Sequence, residues 1–300
     1  MRKIKVYQVD SFTKEKFKGN PAGVVTNAEI LTEKEMQAIA KELNNSETAF
    51  ILPPDSNDHE VRIRFFTPTV EVPSCGHATI AAHYVRAVEN NFENRNYNHK
   101  IGIGVLPIEI QKSNEDYKII ITQGKPVFQS EITGENRKTL LSALGLFESD
   151  VDSRAPIQIV DTGHSKVMIV IKERKTLNLL CPNFITLKEL SKTIGCNGYY
   201  VFTFDSDEKE ILIHGRMFAP AIGINEDPVT GNANGPAGAY IAKYNLTEIN
   251  TSHFHFKAKQ GEAINRTGNV EVYVDIEKGN PVKVKIGGEA VICFKTEIEI

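Results

Sequence analysis

Arg64-Phe65-Phe66-Thr67-Pro68 and Arg216-Met217-Phe218-Ala219-Pro220 share the pattern Arg-x-Phe-x-Pro at an offset of 216 − 64 = 152 residues. Two more pairs follow the same order. Thr32-Glu33-Lys34-Glu35-Met36 resembles Thr186-Leu187-Lys188-Glu189-Leu190, an offset of 186 − 32 = 154, and Gly76-His77-Ala78 resembles Gly231-Asn232-Ala233, an offset of 231 − 76 = 155. Each match is short, but three in one order at nearly constant spacing predict two halves of like topology.

The periodicities agree with a duplicated α+β chain. In the first half, Lys5–Asp10, Gly23–Thr26, Ala49–Leu52 and Val61–Phe66 read as strands. Met36, Ile39, Ala40 and Leu43 make a helical stripe behind a capping box at Thr32 and Glu35. His77–Asn90 is an Ala-rich helix, and Ile101–Gln111 with Tyr117–Thr122 reads as a hairpin. The second half repeats the order. Strands are expected at Ile157–Val160, Lys166–Ile171, Tyr199–Phe204 and Ile211–Phe218. Helices are expected at Thr186–Ile194, behind a second capping box at Thr186 and Glu189, and at Ala233–Tyr244. A further short helix is expected at Asn136–Leu144. The expected architecture is α+β, each half a curved, mostly antiparallel sheet around a central helix. Gln123-Gly124-Lys125-Pro126 is the expected seam. It gives one domain of residues 1–125, joined by a returning C-terminal strand 289–300, and a second of residues 126–288.

Composition narrows the function. The chain has 300 residues, 35 basic and 38 acidic, for a formal net charge of −3. No basic patch dominates, so nucleic acid is not an expected partner. No apolar leader or spanning run is present, and Cys75, Cys181, Cys196 and Cys293 form no paired spacing; both suit a cytoplasmic enzyme with reduced thiols. The histidines show no zinc-binding pattern, and Gly102-Ile103-Gly104 is too short for a dinucleotide loop, so no metal or cofactor is expected.

Two helix starts carry the chemistry. One is Glu71-Val72-Pro73-Ser74-Cys75-Gly76-His77-Ala78-Thr79, the other Asn225-Glu226-Asp227-Pro228-Val229-Thr230-Gly231-Asn232-Ala233. Each follows an Arg-x-Phe-x-Pro strand and puts glycine where free N–H groups and the helix dipole favour an anion. Each also reads as a plain strand-to-helix turn. The halves are chemically unequal. With the offset of 152, Glu47 corresponds to Tyr199, so the carboxylate occurs once. Between apolar strands, Glu47 would have a raised pKa suited to acid/base work; on a solvated edge it would be inert. His77 could relay a proton or simply cap its helix, and Asp227 could serve the site or only the Asp-Pro turn.

These residues carry a resemblance. Phe17-Lys18-Gly19-Asn20-Pro21-Ala22-Gly23-Val24-Val25, Ser46-Glu47-Thr48, Cys75-Gly76-His77-Ala78-Thr79, Asp161-Thr162-Gly163-His164-Ser165 and Glu226-Asp227-Pro228-Val229-Thr230-Gly231-Asn232-Ala233 resemble the PhzF-like family of phenazine biosynthesis. Gln260-Gly261 followed by Arg266 is similar to its late motif. The resemblance implies a fold of the diaminopimelate-epimerase type, two pseudo-symmetric domains with a cleft between them, and a homodimer. It implies an isomerase that moves a proton on a small carboxylate substrate. Glu47, His77 and Asp227 would be catalytic, and Cys75, Gly76, Gly231 and Asn232 would bind substrate. Two departures stand out. Asn232 replaces the serine of the phenazine enzyme. Cys75 matches the first thiol of the epimerases, but its internal counterpart, at 75 + 155 = 230, is Thr230, so a two-thiol mechanism lacks one thiol. A racemase using Cys75, and a non-catalytic binder of small carboxylates, remain the alternatives.

Overall fold

The computed structural model describes residues 1–114, 116–249 and 252–300, which form two compact units: Met1–Thr122 with Gly287–Ile300, and Gln123–Ile286. Both are α+β, and the described residues hold six α-helices and seventeen strands.

The first unit contains β1 (Lys3–Ser11), β2 (Asn20–Val25), α1 (Glu33–Leu43), β3 (Thr48–Leu52), β4 (Val61–Phe66), β5 (Glu71–Val72), α2 (Gly76–Asn90), β6 (Arg95–Ile101), β7 (Gly104–Ser113) and β8 (Asp116–Thr122). The second contains β9 (Val127–Glu131), α3 (Gly134–Leu144), β10 (Gln158–Asp161), β11 (Lys166–Val170), α4 (Arg174–Leu179), α5 (Phe184–Ile194), β12 (Tyr199–Thr203), β13 (Ile211–Ala219), β14 (Ile224–Asp227), α6 (Gly231–Lys243), β15 (His253–Gln260) and β16 (Gly268–Glu277). The last strand, β17 (Asn280–Glu299), begins in the second unit and ends in the first, where Ala290–Glu299 runs antiparallel to β1.

Strand pairing repeats. In the first unit, β2 pairs with β3 in parallel, β3 with β4 and β4 with β5 antiparallel, and β4 with β6 in parallel. In the second, β11–β12, β12–β13, β13–β14 and β13–β15 follow the same sequence of directions. The central helices α2 and α6 are small-residue helices buried on nearly every side, Ala78, Ala81 and Ala82 in one and Ala233, Gly235 and Ala239 in the other. Short side chains let the strands approach the helix axis from all directions, so neither helix has the one-sided apolar stripe of a surface helix. By contrast α1 buries one face, Met36, Ile39 and Ala40, against Ile4, Val6, Phe50 and Phe66.

Three expectations need correction. The strand expected at Ile101–Gln111 is broken at Gly102-Ile103, and β6 precedes it over residues that look too polar; Tyr97 and His99 face inward while Asn96 and Asn98 face water. Thr186 does not cap α5. Asn183 does, its side chain accepting the Thr186 N–H at 3.1 Å, and the helix starts at Phe184. The box at Thr32 and Glu35 is formed. Finally, Glu47 does not match Tyr199. Thr48 pairs with Gly23 and Phe66, while Tyr199 pairs with Val167 and Phe218. The ladders therefore align Thr48 with Tyr199, and Glu47 with Gly198.

Candidate active site

In the first unit, Glu47 sits in the turn that leads from α1 into β3. Its backbone carbonyl accepts the Gly23 N–H at 3.3 Å, which ties the turn to β2. Its side chain is 13% exposed, and Oε2 is buried without a hydrogen-bond partner, 3.4 Å from His77 Nε2. His77, in the first turn of α2, is also buried; Ser46 Oγ lies 3.3 Å from Nε2 and Cys75 Sγ 3.4 Å from Nδ1. Cys75 is the residue before the helix, extended at φ −153°, and gives no side-chain cap. Ser11 Oγ donates to the His77 carbonyl at 2.8 Å, and Thr79 Oγ1 to that of Cys75 at 2.6 Å, so the helix start is fixed from both sides. The fold thus gathers Glu47, Cys75, Gly76 and His77 at one helix end. Single donor atoms of Glu47, Cys75 and His77 lie within 4.8 Å of one another, a thiol–imidazole–carboxylate set that a borderline cation such as zinc could use. No spacing rule would find it, because Glu47 comes from another element.

In the second unit, Asp227 ends β14 and is buried. Its carboxylate accepts from Thr230 Oγ1, and its carbonyl accepts from Gln260 Nε2 at 2.9 Å. Gln260 Oε1 accepts the Thr230 N–H at 3.1 Å and Asn234 Nδ2 at 2.9 Å. Tyr200 donates its hydroxyl to Asn234 Oδ1 at 2.6 Å, and burial pushes the Tyr200 pKa up. Gln123 Nε2 donates to the Gly231 carbonyl and to Asn232 Oδ1, both at 3.1 Å, and its Oε1 accepts from Thr162. Asp227, Gly231 and Asn232 are therefore together, braced by Gln260 and Gln123. Gly261 has φ +90°, and a Cβ there would stand 2.3 Å from the Arg266 carbonyl, so only glycine fits beside Gln260. Gln123, Thr162 and Gln260 were not read as site residues from the sequence; for Gln260 the adjacent Gln-Gly motif was the signal.

A second donor cluster, Glu208, His214 and Glu262, is occupied internally. Against burial, which pushes it up, hydrogen bonds from His214 and then Arg174 hold the Glu262 carboxyl down at about 2, and Lys259 grips Glu208.

The model of the PhzC-PhzF family, described as phenazine biosynthesis-like protein, matches residues 9–296. The chain belongs to this family. An uncharacterized isomerase of Clostridium acetobutylicum is 61% identical over 298 residues, covering 99% of each chain. The uncharacterized isomerase YddE of Escherichia coli is 48% identical over 295 residues, 98% of each. A PhzF-family crystal structure from Bacillus anthracis matches with a TM-score of 0.90 and 32% identity over 100% of both chains. A probable proline racemase of Agrobacterium radiobacter shares the fold alone, with a TM-score of 0.66 and 12% identity over 99% of this chain and 93% of that one. This PhzF-family chain is an isomerase of α+β fold. None of its helices, among the described residues, is long and apolar enough to cross a membrane.

Proposed function

We propose that this PhzF-family isomerase shifts a proton on a small carboxylate substrate, with Glu47 as the acid/base group and no cofactor. The observation that carries the reading is Glu47 Oε2, buried, without a donor, and 3.4 Å from His77 Nε2. An oxygen that no protein donor engages is available to a substrate proton. Glu47 would take the proton from a carbon, leaving its electron pair in the substrate's π-system, and the same carboxylic acid or His77 would return a proton to a second carbon. The N–H groups at Gly76 and at Gly231-Asn232 would hold the substrate's negative charge, and Asp227 would orient the substrate. In this reading the two units are the halves of one duplicated scaffold, each contributing one helix start to a shared cleft. The family resemblance adds a homodimer, for which light scattering should give about twice 33.4 kDa; a single-chain mass at micromolar concentration refutes it.

Glu47→Gln keeps size and polarity but removes the base. It should leave ligand affinity nearly unchanged and lower turnover, followed as deuterium uptake from solvent, by roughly 10²–10⁴. Full exchange in that variant ends the proposal. The Cys75 Sγ–His77 Nδ1 distance of 3.4 Å favours a second reading, a thiol-based epimerase. In that case Cys75→Ser, not Glu47→Gln, would abolish exchange, and the substrate would lose optical rotation.

A further inference from the structure

The second unit answers Glu47 with a cation. Where the ladders put Glu47 in one unit they put Gly198 in the other, and a Cβ on Gly198 would stand 2.8 Å from the Phe218 carbonyl, so that position cannot carry a side chain. The space is taken by Lys166, the first residue of β11, whose Cδ lies 3.3 Å from that same Cβ position. The residue matching Lys166 in the first unit is Ala22, one before Gly23, just as Lys166 is one before Val167. Bulk and charge have both been exchanged: Ala22 beside a long anion, a long cation beside Gly198.

Lys166 is only 3% exposed. Its one hydrogen bond runs from Nζ to the Ser165 carbonyl at a long 3.4 Å, and among the described residues no carboxylate stands in ion-pair range. A buried ammonium without a counter-ion is strongly unfavourable, and ionisable groups perturbed in this way cluster at functional sites. Burial pushes the Lys166 pKa down to about 8, against the pull of the Cys196 thiol and the Asp161 and Asp227 carboxyls. Asp227 is already engaged by Thr230, and Asp161 by the Gly163 N–H. The neighbouring His164 is pushed below its usual value by burial and then by Lys166, so it adds no competing positive charge near neutral pH.

We infer that Lys166 is the substrate-carboxylate anchor of the second unit, its ammonium completed by a small organic anion. This rests on the small-carboxylate reading above and assigns a residue to its recognition. An ammonium against the carboxylate would also acidify the adjacent carbon, by stabilising the charge that develops when its proton leaves.

The test uses the full chain labelled with [ε-¹³C]lysine, with benzoate as probe and benzamide as its uncharged analogue. Lys166→Arg, which keeps the cation, removes one signal and so assigns it. Benzoate should raise the pH midpoint of the Lys166 signal by at least one unit, and benzamide should not. Lys166→Met should weaken benzoate binding about 10- to 100-fold, as expected for a charged hydrogen bond, and leave benzamide unchanged. Glu47→Gln should bind benzoate as the wild type does. If Lys166→Met does not fold, the wild-type titration decides alone. Benzoate that binds without moving the Lys166 signal overturns this inference and leaves the proposed reaction standing. If benzoate does not bind the wild type, this inference falls, while deuterium exchange in Glu47→Gln still decides the proposed reaction.

Discussion

The two units share their struts and differ in what the struts carry. In each, an arginine of the Arg-x-Phe-x-Pro strand grips a glutamate on the short strand before the central helix: Arg64 with Glu71 in the first unit, Arg216 with Glu226 in the second. Each guanidinium also stacks on the phenylalanine two residues on, at 5.1 Å over Phe66 and 5.0 Å over Phe218. The residues at the helix starts diverge instead: Cys75 against Thr230, His77 against Asn232, Glu47 against Gly198, Ala22 against Lys166. The two units share what positions the helix and differ in what the helix end meets. That pattern is expected when the scaffold is under one constraint and the chemistry under another.

The shared strut gives the largest expected difference. Arg216 is 7% exposed, with Glu226 at 12%, and it also donates to the Leu177 and Leu180 carbonyls at 3.0 and 2.9 Å. Arg216→Met leaves a buried carboxylate and buried carbonyls unpaired and should destabilise by about 3–5 kcal/mol. Arg64 is 20% exposed and Glu71 40%, so Arg64→Met should lose about 1 kcal/mol. Urea unfolding of both variants measures the gap; equal losses would mean that burial does not separate the two struts.

Acid should find the first unit before the second. His83 of α2 is fully buried, its Nδ1 2.6 Å from the Tyr97 hydroxyl and its Nε2 3.1 Å from His99 Nδ1. Burial, with Arg86 nearby, lowers the His99 pKa to about 3; burial and then His99 push His83 well below 6.5. The counterpart of His83, at 83 + 155 = 238, is Gly238, packed on Val272 and Val274. Below pH about 6.5 the unfolded chain binds protons that the folded imidazoles refuse. Stability is therefore complete above that pH and falls toward pH about 3, by up to about 1.4 kcal/mol per pH unit for each imidazole. A His83→Gln, His99→Gln variant should show a shallower slope over this window, whatever its stability at pH 8. An unchanged slope would place the acid sensitivity elsewhere.

The smallest effect concerns the caps. Asn183→Ala should cost about 1 kcal/mol, like Thr32→Ala in the first unit, whereas Thr186→Ala removes no cap and should be neutral or gain a few tenths through helix propensity. A larger loss at Thr186 than at Asn183 would return the cap to Thr186.

Much of this is legible in the sequence. The three repeats carry the topology because Arg-x-Phe-x-Pro and the glycine starts are local in sequence, and α1 announced itself through its stripe and cap. The failures have physical reasons. β6 escapes the periodicity because its inward residues, Tyr97 and His99, are polar ones that both meet the buried His83. Glu47 was misaligned by one residue because a single offset was carried across a connection whose length differs between the halves. Lys166 passed unremarked beside the Asp-Thr-Gly-His-Ser motif, since nothing in a sequence says that a lysine at a strand start will lack an aspartate. Residues that share a helix start are neighbours by sequence alone, whereas Glu47 reaches Cys75 and His77 from the turn before β3, and Gln123, Thr162 and Gln260 reach the second helix start from distant elements.

β17 has a consequence for how the chain is made. β1 needs Ala290–Glu299 as one of its two neighbours, the other being β2. During synthesis those residues emerge after every other strand described in either unit. The second unit needs only the first part of β17, up to Ile286, and can assemble before Ala290–Glu299 are made. The first unit, although most of it is translated earlier, waits with one flank of β1 uncovered until Ala290–Glu299 have been made. A nonsense codon at Ala290 would leave that flank bare for good, an invitation to pair with a strand from another nascent chain.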